Sequence, residues 1–195
     1  MPAAPVLSLK NDFMFKGVLG GRDCLASLIA FLQALLPWLP REEFGEVTFA
    51  DTRKKRLHAG GKECILDICV RLKLGRMINI EIQVVRLPGA INRAQYYNAR
   101  MLDEQIHKGR PYAGMAQVIT IFILDHVLFE EDKGYHHEYR LVNRKTGKEL
   151  PNSQAIVFTE VSKLPKKADG TSEWNWLHLF RARTREELER LVEKE

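Results

Sequence analysis

Apolar and polar positions alternate with period two along "CILDICVRLKLGRMINIEIQVV" (residues 64–85), in two runs separated by an "LGR" turn. Alternation of that period, in segments rich in Ile, Val and Leu, predicts two β-strands joined as a hairpin. In the first run Leu66, Ile68, Val70 and Leu72 share one face, with Asp67, Cys69 and Arg71 on the other. In the second, Ile78, Ile80, Ile82 and Val84 share a face and leave Asn79, Glu81 and Gln83 opposite them. Pairing of the two runs therefore sets Asp67, Glu81 and Gln83 on one side of a sheet.

Elsewhere the pattern moves between this period and the helical one. Residues 9–20, "LKNDFMFKGVLG", bring Phe13, Phe15, Val18 and Leu19 near helical spacing behind Asn11 and Asp12, either of which can cap the helix. A second helix over roughly 22–36 stops at Pro37, and "VTFAD" (47–51) reads as a short strand leading into the basic loop "RKKRLHAGGK" (53–62). Beyond Pro88 and Gly89, residues 90–108 have a helical pattern that Gly109 closes. The near-continuous apolar run "QVITIFILDHVL" (117–128) predicts a central strand covered on both faces. Two further strands, about 137–142 and 155–161, flank an "RKTGKE" turn, and "WNWLHLF" (174–180) starts a closing helix that runs into a charged tail from about residue 181. There is no internal repeat and no low-complexity segment.

Composition narrows the class. At 195 residues and 45% hydrophobic, the chain is sized for one well-buried domain spanning 1–195. Lys and Arg outnumber Asp and Glu 30 to 25, and the positive excess lies in residues 1–100, which suggests where a polyanion would lie. The three cysteines form no CxxC pair and sit among apolar residues, as expected of thiols in a reducing cytoplasm. The longest apolar segment, "LASLIAFLQALLPWLP" (25–40), is broken by Ser27, Gln33 and Pro37, so no membrane span is expected, and the N-terminus has no export-signal pattern. No Cys or His cluster has zinc-ligand spacing; His136 and His137, adjacent on a strand, face opposite ways.

Two carboxylates on adjacent strands make a cradle for a hard cation such as Mg²⁺, with Mn²⁺ as a substitute. Such an ion polarises a phosphoryl oxygen and turns water into a nucleophile against a phosphodiester. Asp67 and Glu81 would be the ligands, the backbone carbonyl of Ile82 could add a third oxygen, and Gln83 would orient the water or the scissile phosphate. Arg53, Lys54, Lys55, Arg56 and Lys62 could neutralise phosphates along a nucleic-acid backbone, or could form an ordinary solvated loop. Asp67 could instead pair with Arg71, and Arg93 could hold a phosphate or pair with an acid such as Asp67. Tyr96, Tyr97 and Met101 have the spacing of packing residues more than of a base-stacking surface.

Four segments, "NDFMFKGVLG", "ILDICVRLKLGRMINIEIQVV", "RAQYYNARMLDEQIHKGRPYAGMAQVITIFILD" and "FTEVSKLPKK", come in the order and spacing of the Rpn family of recombination-promoting nucleases, the PD-(D/E)XK nuclease family transposases. The resemblance covers about residues 10–182. It implies a restriction-endonuclease-like α/β fold, with a mixed central sheet flanked by helices, and Mg²⁺-dependent DNA cleavage in recombination, mobile-element movement or defence. By this resemblance Asp67 matches the motif aspartate and Glu81 the acidic residue of the (D/E)XK element, while Gln83 stands where the superfamily pattern has lysine. Asp12 matches the acidic position on the first helix, and Arg93, Gln95 and Tyr97 the helix that borders the site in related nucleases. A homodimer is expected by the same analogy. Longer members continue with a helical C-terminal region. Two other readings keep the fold: an inactive nucleic-acid-binding module, and a regulatory short form that binds a longer relative.

Overall fold

The computed structural model describes residues 9–54, 64–109 and 111–182, without the side chains of Asp12 and Phe13. The loop cations Lys55, Arg56 and Lys62 lie outside the described residues, as does the charged tail from residue 183. Among the described residues there are four α-helices: α1 (Asp12–Leu19), α2 (Leu25–Leu35), α3 (Ala90–Asp103) and α4 (Ser172–Leu179). The strands are β1 (Val47–Phe49), β2 (Arg53–Lys54), β3 (Cys64–Ile65), β4 (Ile68–Leu72), β5 (Met77–Gln83), β6 (Val118–Leu124), β7 (His136–Arg140) and β8 (Ala155–Glu160).

Six strands form one mixed sheet in the order β1-β4-β5-β6-β8-β7, and β2 and β3 form a separate two-stranded ribbon. The expected hairpin is present, with β4 antiparallel to β5 and Ile68 opposite Ile80. Its turn needs Gly75, whose φ of +87° is a conformation that L side chains rarely adopt. β6 runs parallel to both β5 and β8, and every residue of it is buried, as its unbroken apolar run predicts. Parallel neighbours require crossovers, and α3 supplies the one between β5 and β6.

The two faces of the sheet are covered differently. On one face Ile68, Val70, Ile78, Ile80, Ile121 and Val157 pack against Phe15, Leu28, Phe31 and Phe180 from α1, α2 and the end of α4. On the other, Cys69, Met77, Phe122 and Phe158 pack against Ala94, Tyr97 and Met101 of α3. The helix α2 ends ahead of Pro37, and α4 begins where the Thr171 side chain accepts a hydrogen bond from the Trp174 amide at 3.0 Å. The result is the α/β architecture expected from the chain, a mixed central sheet flanked by helices.

Three expectations are corrected in detail. The helix after the hairpin stops at Asp103 rather than near 108, with Gly109 in a later turn at φ +86°. The strand over 47–51 covers three residues, Val47–Phe49. Leu66 does not share a face with Ile68: it packs with Cys64 and Cys69 on the α3 side. The chain bends at Leu66–Asp67 because β3 pairs with β2, and Leu66 donates its amide to the Thr52 carbonyl, before the strand resumes beside β5. That bend shifts the alternation by one residue.

Candidate active site

The bend positions Asp67. Pairing of β4 with β5 ends at Ile68 opposite Ile80, so Glu81, Ile82 and Gln83 extend past the last β4 partner. Gln83 turns its carbonyl toward β6, where it accepts from the Asp125 amide at 3.1 Å. Its neighbour Ile82 therefore turns both N–H and C=O the other way, toward the gap that β4 leaves. Asp67 fills that gap: its Oδ2 accepts from the Ile82 amide at 3.1 Å, and its own amide donates to Glu81 Oε1 at 3.0 Å. Each carboxylate thus has one oxygen fixed by a main-chain amide.

The other oxygen of each carboxylate faces a cation. Lys16, on α1, brings its Nζ to 3.7 Å from Asp67 Oδ1. Arg93, on the first turn of α3, brings Nη2 to 4.0 Å from Glu81 Oε2. The Arg93 guanidinium lies 5.4 Å from the centre of the Phe122 ring and 5.7 Å from that of Tyr97, so aromatic faces hold it beside the acids. Its Nε is buried with no hydrogen-bond partner among the described residues.

Electrostatics set Glu81 apart. The side chain is 3% exposed, and burial followed by the Asp67 charge pushes its pKa up to about 7, against the opposing pull of the Asp67 amide, Asn79 and Arg93. The nearby Tyr97 hydroxyl is pushed up to about 12, first by burial and then by Glu81. Gln83 is also buried, and neither of its amide atoms has a partner among the described residues. Two such atoms left bare would cost more than 1 kcal/mol each by the usual penalty of about 1–3 kcal/mol, so they favour an occupant that can hydrogen-bond.

The donor set suits a hard divalent cation. Two carboxylates, each with an oxygen directed away from its main-chain anchor, and an Ile82 carbonyl turned to the same gap offer oxygen ligands only. Among the described residues no three Asp, Glu, His or Cys side chains converge. Such a set matches Mg²⁺, which keeps several waters, better than Zn²⁺, which takes nitrogen and sulfur.

Asp67, Glu81, Ile82, Arg93 and Tyr97 lie together in the structure, and Gln83 follows Glu81 two residues on along β5. Gln95 does not join them: it is exposed and lines a groove with Ile91, Phe129 and Tyr139, on another side of α3. Lys54 is turned inward, 2% exposed, with its ammonium 2.8 Å from Glu104 and 2.6 Å from the Asp51 carbonyl, so it does not face a ligand outside. Arg53 is exposed beside it, and the Asp12 side chain lies outside the described residues. Arg71 donates to the Gly75 carbonyl at 3.2 Å, away from Asp67. Sequence reasoning missed Lys16, and also Lys10, which pairs with Asp125 at 2.7 Å next to Gln83. A signal for Lys16 was present, four residues after Asp12 on the polar side of an otherwise apolar helix.

Residues 9–195 match a protein family described as the PD-(D/E)XK nuclease family transposases. The chain belongs to that family. Membership supports a nuclease-type function for the chain, and PD-(D/E)XK nucleases generally use divalent metals. No curated protein and no solved structure matches it. No helix among the described residues is long and apolar enough to cross a membrane.

Proposed function

We propose that this PD-(D/E)XK chain is a Mg²⁺-dependent endodeoxyribonuclease, with Mn²⁺ as a substitute, that breaks DNA during recombination or the movement of a mobile element. The observation that carries the reading is the reciprocal Asp67–Glu81 pair, each acid fixed through one oxygen by a main-chain amide and facing a cation through the other. Asp67, Glu81 and the Ile82 carbonyl would hold the ion. Bound there, it would supply Lewis-acid polarisation of the phosphoryl oxygen and activation of water.

The chain's own groups do the remainder. The Gln83 amide, buried and unpartnered among the described residues, can donate to a phosphate oxygen while its carbonyl oxygen orients the attacking water. Arg93, steadied by Tyr97 and Phe122, can offset charge on the phosphate. Arg53 and the cations of the 55–62 loop would hold the DNA backbone without reading its sequence. Gln95 and Lys54 have no part in this reading. Asp12 stays a proposed accessory acid on the strength of the motif alone.

The test is plasmid nicking with Mg²⁺ or Mn²⁺ by the wild type, Asp67→Ala and Glu81→Ala, each shown to be folded by its thermal melt. Metal-dependent nicking by the wild type that both variants lose supports the reading. A folded wild type that binds DNA in a salt-sensitive way but never cuts it would leave the chain a binding module.

A further inference from the structure

Phosphodiester hydrolysis concentrates negative charge. The oxygen of a water molecule bonds to phosphorus while the P–O bond to the departing strand breaks; one proton leaves the water for solvent, and the departing alkoxide takes one from solvent. In between, the non-bridging oxygens carry more charge than in the starting diester, and fixed positive charge aimed at them accelerates the step. Asp67 and Glu81 bring two acidic groups to the place where this happens. Gln83, at the end of β5, is uncharged and can offer the phosphate only the hydrogen bonds of its amide.

We propose that Lys16 is a catalytic residue of this site, providing from α1 the positive charge that Gln83 lacks. The proposal rests on the nuclease reading above and adds to it a residue from a different element. Its Nζ stands 3.7 Å from Asp67 Oδ1, within ion-pair reach, on the carboxylate oxygen opposite the one the Ile82 amide fixes. A group so placed borders whatever Asp67 binds through that oxygen.

The helix is built to hold it there. Phe15 and Leu19, on either side of Lys16 in α1, are buried in the core, and Phe15 packs 6.2 Å from Phe180. The backbone that carries Lys16 is therefore rigid, while its four-carbon stem can carry the ammonium from Asp67 to a phosphate oxygen. Stability does not account for the pairing, since the lysine side chain is 43% exposed and ion pairs this open contribute little to folding. The ammonium acts by its charge and its hydrogen bonds.

The experiment compares the wild type, Lys16→Met, Lys16→Arg and the double variant Lys16→Met/Gln83→Lys in Mn²⁺-supported nicking, with kcat and KM for DNA measured separately. Calorimetric Mn²⁺ titration and a thermal melt accompany each protein. The expected result is a kcat lower by about 100-fold or more in Lys16→Met, with KM, Tm and Mn²⁺ binding retained, partial activity in Lys16→Arg, and recovery of about tenfold or more when Gln83→Lys is added. Wild-type kcat in Lys16→Met overturns the proposal, and so does a kcat loss that comes with weakened Mn²⁺ binding or lowered Tm, or one that Gln83→Lys does not relieve. In each of these cases the wild type still cuts and the nuclease reading stands. A wild type that binds Mn²⁺ and never cuts overturns both together.

Discussion

Burial raises the Glu81 pKa, and this gives the residue a testable effect on stability. Its carboxyl ionises near 4.5 when unfolded and near 7 in the fold, where burial and then the Asp67 charge oppose the anion. The folded chain therefore binds this proton more tightly than the unfolded chain does. Stability falls as pH rises from about 4.5 to 7, and the full penalty is present above 7. Replacing the acid by its neutral isostere removes the penalty. Without divalent metal, Glu81→Gln should be more stable than the wild type at pH 8 by roughly 3 kcal/mol, and the difference should close toward pH 5 in paired thermal melts. A Gln variant less stable at pH 8 would mean that the ionised acid is favoured where it sits. The same proton has to leave before a cation binds, so apparent Mn²⁺ affinity in calorimetric titrations should climb up to about pH 7 and level off above it. Affinity that ignores pH over that range would take Glu81 out of the ligand set.

A helix that supplies Arg93 and Tyr97 to the site has to be held against the sheet, and Asn98 does this for α3. Its Nδ2 donates to the Ala155 carbonyl at 3.0 Å, and its Oδ1 accepts from the Thr120 hydroxyl at 2.6 Å, so one buried amide ties α3 to β6 and β8. Asn98→Ala leaves both partners unsatisfied in the core. The expected cost is about 2–4 kcal/mol in denaturant unfolding, with a loss of nicking that exceeds the unfolded fraction, because Arg93 is no longer held over Phe122. An activity that tracks the folded fraction alone would show that α3 keeps its place without this tie. The elements themselves were legible in the sequence, since period two in β4 and β5, the unbroken apolar run of β6 and the helical spacing of α3 are local signals. The bend at Asp67 was not, because Leu66 and Ile68 are both apolar and two apart, which hides the phase shift. Pairing of β3 with β2, across the intervening loop, makes that bend, and the alternation within 64–72 does not record it. Lys16 was obscured for a similar reason: what brings α1 to Asp67 is packing against Phe180, far along the chain.

Among the described residues the proposed site holds one acidic pair, at the end of β5 where β4 pairing stops. A duplex has two strands of opposite polarity, and a site oriented for attack on one is misoriented for the other. Cutting both therefore requires a second copy related by a two-fold axis, or release and rebinding in the reversed orientation. We expect the first of these, a homodimer formed at the DNA, and the two routes differ in how products depend on protein concentration. With supercoiled plasmid in excess, nicked circles should accumulate before linear DNA, because a single site would cut one strand at a time. As protein is raised, the initial rate of nicking should rise in direct proportion, whereas the rate of linearisation should rise roughly as its square until sites are saturated. A gel time course over a wide concentration range measures both, and light scattering on the free protein shows whether copies associate before they meet DNA. Linearisation that stays proportional to protein at the lowest concentrations, from a chain that scatters as a monomer, would favour sequential cuts by one site. The same proportionality from a chain that scatters as a dimer would place the pairing ahead of DNA binding, and the second site would then be present at every encounter.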